Sequence, residues 1–91
     1  MRKLRAEELQ VVQALLLSAG DEYRSHLKKL KALFVEDLND GGMGSLRFLP
    51  KDKRIRFQTI AEAEFLDKDH VSVFLCLDVD VNGALFELGS F

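Results

Sequence analysis

The apolar positions of this chain change their period once, from helical to alternating. Leu9, Val12, Leu16 and Ala19 recur at i, i+3, i+7 and i+10, and Val11 and Leu15 widen the stripe. That spacing predicts an amphipathic helix over about Arg5 to Ala19, stopped by Gly20, with Glu7 and Glu8 at the positive end of its macrodipole. A second helix is expected after Asp21, a good N-cap residue, with Tyr23, Leu27 and Leu30 on one face. Its polar side carries Arg24, His26, Lys28 and Lys29. Leu33 to Leu38 fits either a continued helix or a strand; the Phe34-Val35 pair and the glycine-rich reversal that follows favour a strand paired with Ser45 to Leu49.

From Arg54 onward the pattern alternates. Ile55, Phe57, Thr59, Ala61, Ala63 and Phe65 are expected to face inward, and Ile60, Glu62 and Glu64 outward. The next strand has Val71, Val73, Leu75, Leu77 and Val79 inward and His70, Ser72, Phe74, Cys76, Asp78 and Asp80 outward. Asn82-Gly83 is a strong hairpin signal. As a two-residue type I′ turn it pairs Val81 with Ala84, Val79 with Phe86 and Leu77 with Leu88, all on the apolar face. The same register sets Asp78 opposite Glu87, an unfavourable pairing of like charges. If the Asp67-Lys68-Asp69 reversal pairs Phe65 with Val71, then Arg56 faces Asp80 and Gln58 faces Asp78. Cys76 then falls beside Ile60, and Phe91 opposite Phe74.

These elements predict an α+β fold: two N-terminal helices packed on one face of a four- or five-stranded antiparallel sheet, arranged as a meander. At 91 residues the chain is expected to be one domain, 1–91, helical over about 5–31 and β over about 33–91. With 47% hydrophobic and 31% charged residues the composition is that of an ordinary globular protein. The net charge of −2 supplies no field to attract nucleic acid or an anionic membrane, so neither is expected as a partner. The apolar run Ala14 to Leu17 is far short of the roughly 20 residues a membrane span needs. One cysteine, Cys76, excludes an internal disulfide and suits a reducing, cytoplasmic compartment.

Catalytic chemistry is sparse. Cys76 lacks a base or positive field, since His70 lies about 20 Å along the same strand at ~3.3 Å per residue, and the thiol reads as a half-buried hydrophobe. No catalytic residue, metal site or cofactor is expected. Asp37 to Gly42 has the alternating oxygens of a calcium loop, but Phe48 stands where a bidentate glutamate is required. Gly41, Gly42 and Gly44 suit an anion nest, although Asp37 and Asp40 repel an anion, and the loop Asp40, Gly41, Gly42 and Gly44 with Arg47 makes one candidate ligand site. A second candidate is a protein interface on the outward sheet face: Asp78, Asp80 and Glu87, joined by Asp37 and Asp40, as an acidic patch, with Phe74 and Ile60 as apolar anchors. A protein partner or a homodimer would use it.

The run Asn39 to Phe48, followed by Ile60 to Phe65 and then Val79 to Leu88, resembles a family of small bacterial domains of unknown function. The resemblance spans most of the chain, including its Met1-Arg2-Lys3-Leu4 start. It implies a bacterial, cytoplasmic, single-domain protein and supplies no catalytic residue; members of that family continue for another short strand beyond the equivalent of Phe91, so this copy is expected to be truncated there. The expected role is a non-enzymatic interaction module of the inhibitor or immunity type, with a small-ligand domain as the alternative.

Overall fold

A computed structural model describes residues 1–38, 45–49, 55–66 and 69–90. The first helix, α1, runs Ala6–Ala19, and Val12, Leu15 and Leu16 of its predicted stripe are buried. Its start is fixed by Glu8, whose carboxylate accepts the Arg5 backbone N–H at 2.8 Å, as the third residue of a capping box does. Gly20 ends it at φ 113°, a conformation that side chains with a Cβ rarely adopt.

The second helical segment, Asp21–Ala32, is a 3₁₀ helix rather than the α-helix its spacing suggested. Three residues per turn bring i and i+3 into line. Tyr23, His26 and Lys29 therefore share one edge and Leu27, Leu30 and Leu33 another. Leu30 is fully buried, and the Tyr23 and His26 rings stack with centroids 6.4 Å apart.

The described strands are β1 (Arg2–Lys3), β2 (Phe34–Asp37), β3 (Leu46–Phe48), β4 (Arg56–Leu66), β5 (Ser72–Asp80) and β6 (Leu85–Ser90). They form one six-stranded antiparallel sheet in the order β1-β2-β3-β6-β5-β4. The expected four or five strands thus become six, because Arg2 and Lys3 pair with Val35 and Phe34. Nor is the sheet a simple meander. β4, β5 and β6 follow one another, but β6 closes against β3, so the chain crosses from β3 to the far edge before returning.

The strand expected within Leu33 to Leu38 exists, and it pairs with β3 as predicted, Val35 facing Phe48 and Glu36 facing Arg47. Both helices lie on one face, over a core of Val12, Leu15, Leu16, Leu30, Val35, Leu46, Phe48, Leu77, Val79, Leu85 and Leu88. Burial of these side chains from one face supplies the driving force, at about 1.5–3 kcal/mol for each large aliphatic residue.

Bulges alter the predicted parity at three places. Phe65 faces Val73, two residues from the expected Val71, yet Arg56 still faces Asp80. Irregularities between Arg56 and Gln58 and between Thr59 and Ala61 absorb the difference. Thr59 consequently joins Asp78 on the outer face, Gln58 faces Val79, and Ile60 packs against the core instead of pointing outward. In β6, Leu77 pairs with Leu88 and Asp78 with Glu87 as predicted, but Val79 meets Leu85, not Phe86. The cause lies in the hairpin. Asp80 N–H donates to the Ala84 carbonyl at 2.9 Å and Gly83 N–H to the Asp80 carbonyl at 3.0 Å, so Val81, Asn82 and Gly83 form a three-residue loop. Gly83 has φ 81° while Asn82 is not left-handed, which excludes the type I′ turn.

Candidate functional site

The register lines up charged residues across the sheet face that the helices leave uncovered. Glu36 faces Arg47, Arg47 faces Glu87, Glu87 faces Asp78, and Asp78 faces Thr59. The like-charged pair at its centre is neutralised from both sides. Arg47 Nη2 bonds Glu87 Oε1 at 2.9 Å, and Arg56 Nε bonds Asp78 Oδ2 at 2.9 Å. The Thr59 hydroxyl donates to Asp78 Oδ1 at 2.6 Å. Each carboxylate therefore has its own donor, which removes the cost that an unpaired buried charge would carry.

The bulge in β6 adds an apolar element to this row. Phe86 leaves the inward parity expected of it, and the Arg47 guanidinium sits over its ring, 4.8 Å from the centroid.

Asp78 and Asp80 are only 2% and 3% exposed, so they form no solvent-facing acidic patch. Asp80 Oδ1 accepts the backbone N–H groups of Asn82 at 2.8 Å and Ala84 at 3.0 Å, tying down the hairpin loop. Alternation along the strand placed both aspartates outward correctly but did not reveal how deeply neighbouring side chains would cover them. Glu87 is half-buried and held by Arg47.

This face exposes Phe34 at its β1–β2 end, where Lys3 lies over the ring, and a larger apolar group at its β4–β5 end. Phe74 is 46% exposed, Leu66 is 67% exposed, and Glu62 and Glu64 are exposed beside them. Glu64 faces Phe74 and Glu62 faces Cys76 in register. Alternation had already assigned Glu62 and Glu64 to the outer face. Their importance emerges once the more central acids prove to be buried.

Of the glycine-block candidates, Asp40, Gly41, Gly42 and Gly44 lie outside the described residues, as does Phe91. Arg47 is on the sheet face away from the helices, so it does not stand at the mouth of a pocket between helices and sheet. Asp37 is engaged by Arg2, whose guanidinium also grips Glu8 through two bonds of 2.7 and 2.9 Å. This clamp joins β1, α1 and β2. Hydrogen bonding to Arg2 holds both carboxyls below their ordinary values and raises the guanidinium further still.

Cys76 sits on the outer face opposite Gly89, and burial, reinforced by nearby Asp78, pushes its thiol up. An elevated thiol has less thiolate at neutral pH and is a poorer nucleophile. His26 belongs to the helical layer, where its Nε2 lies 2.9 Å from the Gly83 carbonyl oxygen, with the sheet between it and the thiol. Among the described residues no three His, Cys, Asp or Glu side chains converge to hold a metal ion. Among them, too, no helix is long and apolar enough to cross a membrane.

A family model described as a domain of unknown function (DUF6984) matches residues 1–91, and the chain belongs to that family. No curated protein and no solved structure matches it.

Proposed function

We propose that this family member is a non-enzymatic interaction module, of the inhibitor or immunity type, that docks a basic protein partner through the helix-free face of its sheet. The observation that carries the reading is the contrast within that face. Its central charges are internally paired, whereas Phe74 and Leu66 stand exposed at one end with Glu62 and Glu64 around them. An aromatic anchor ringed by carboxylates suits a partner with an apolar pocket bordered by lysine or arginine. The carboxylates steer the encounter, and Phe74 and Leu66 supply buried area. Such a module would work in the reducing cytoplasm of a bacterium, where a free Cys76 is stable.

The test is affinity capture from the native lysate with wild type, a Glu62→Lys/Glu64→Lys double variant, Phe74→Ser, and the control Leu17→Ser, which alters an exposed residue of α1. Retention of the same basic protein by wild type and control, and its loss from the other two, is the expected result. Equal retention by all four would overturn the docking surface. A second copy of the chain as the only species retained would replace the foreign partner with a homodimer.

A further inference from the structure

We propose a second, independent site: a cleft on the helical side of the sheet that takes a small apolar carboxylate. Its origin is the 3₁₀ geometry, since three residues per turn bring His26 and Lys29 to the same edge of the helix. That edge faces the β5–β6 hairpin. A cavity of about 220 Å³ separates them, and both His26 and Lys29 line it. Buried Phe48 and Leu85 form its floor, and half-buried Leu33 and Leu49 its sides.

The volume and lining define the ligand class. An apolar cavity of about 150 Å³ accommodates benzene, so about 220 Å³ has room for one ring or a chain of about six carbons with a small head group. The walls offer such a ligand dispersion contacts and removal from water. The charge at the cleft is that of the lysine. Lys29 is exposed and makes no ion pair among the described residues. His26 donates through Nε2 to the Gly83 carbonyl, which can only accept, so its ring is fixed as one wall and the charge that meets a carboxylate comes from Lys29. Lys31 adds positive charge on the same last turn. An anionic head beside Lys29 and an apolar tail over Phe48 and Leu85 satisfies both halves of the cleft. Neither a nucleotide nor a peptide fits that volume.

The site lies on the opposite side of the sheet from Phe74, so it stands or falls apart from the docking surface. The experiment is an amide ¹H–¹⁵N titration of the full chain with sodium hexanoate and with benzoate at pH 7, and with hexanol as the uncharged comparison. Saturable shifts centred on His26, Leu33, Ala84 and Leu85 are expected, with hexanol binding more weakly. Lys29→Glu, a surface change that leaves the core intact, should weaken hexanoate about tenfold. Ala84→Phe, at an exposed position lining the cleft, should block it. Shifts that never saturate, hexanol binding as tightly as hexanoate, or Lys29→Glu binding as well as wild type would each overturn the assignment.

Discussion

Replacing Asp80 tests whether the acids of the helix-free face hold the fold together. Its carboxylate is 3% exposed, and one oxygen takes two backbone N–H groups of the hairpin loop at 2.8 and 3.0 Å. A hydrogen bond to a charged group contributes about 1.5–3 kcal/mol net. Two such bonds would total about 3–6 kcal/mol, but Asn82 and Ala84 are exposed, so water can reach their amides once the carboxylate is gone. Asp80→Ala should therefore cost about 2–4 kcal/mol. At about 4–8 °C per kcal/mol for a chain of this size, the midpoint of thermal unfolding falls by roughly 8–30 °C.

Asp80→Asn keeps an oxygen acceptor in the same place and loses only the charge, so about 1 kcal/mol is expected. Urea unfolding followed by far-UV circular dichroism gives both values, provided the slope m is unchanged. A loss below about 1 kcal/mol for Asp80→Ala would refute the anchoring role. A loss for Asp80→Asn equal to that for Asp80→Ala would show that charge, and not the loop acceptor, is what matters.

Two further perturbations probe other parts of the account. Arg2→Met should destabilise the protein by about 1–2 kcal/mol at pH 7 through its lost bonds to Glu8. Because Glu8 and Asp37 are held below their ordinary values, their contribution is complete above the unfolded carboxylate range and disappears as pH falls through the lowered values. Wild type and Arg2→Met should therefore converge in urea midpoint between pH 5 and pH 2, and a constant gap would contradict the clamp. A Cβ at Gly89 would lie 3.0 Å from Cys76 Sγ. Gly89→Ala is thus expected to cost about 1–2 kcal/mol by overpacking, and Cys76→Ala in the same chain should recover most of it. Additive losses in that double variant would show that the two positions are not in contact.

The elements were legible where hydrophobic period and turn chemistry agreed. The α1 stripe, the strand at Phe34–Asp37, the pairing of Leu77 with Leu88 and the opposition of Asp78 and Glu87 all followed from spacing. Bulges were not legible, because the extra residue at Phe57, Ile60 or Phe86 looks like any other strand residue until the partner strand is present. One such shift moved Ile60 into the core and another moved Phe86 under Arg47. The two-residue β1 is too short to show alternation at all. Alternation states only which side of the sheet a residue takes, so Asp78 and Asp80 read as exposed. Their burial depends on side chains of other strands, Arg56 and Thr59 among them. For the same reason His26 and Lys29 looked like a solvated helix face. Their place against the hairpin depends on how the helix packs on the sheet, which no pattern within the helix shows.

The most direct test of the proposed role is site-specific photo-crosslinking in the native cell, with benzoylphenylalanine in place of Phe74 in one chain and of Leu17 in another. Both positions are exposed, and only the first lies on the helix-free face. One discrete adduct with a basic protein is expected from position 74, absent from position 17 and abolished by Glu62→Lys/Glu64→Lys. Identical adducts from both positions, or none from position 74, would contradict it.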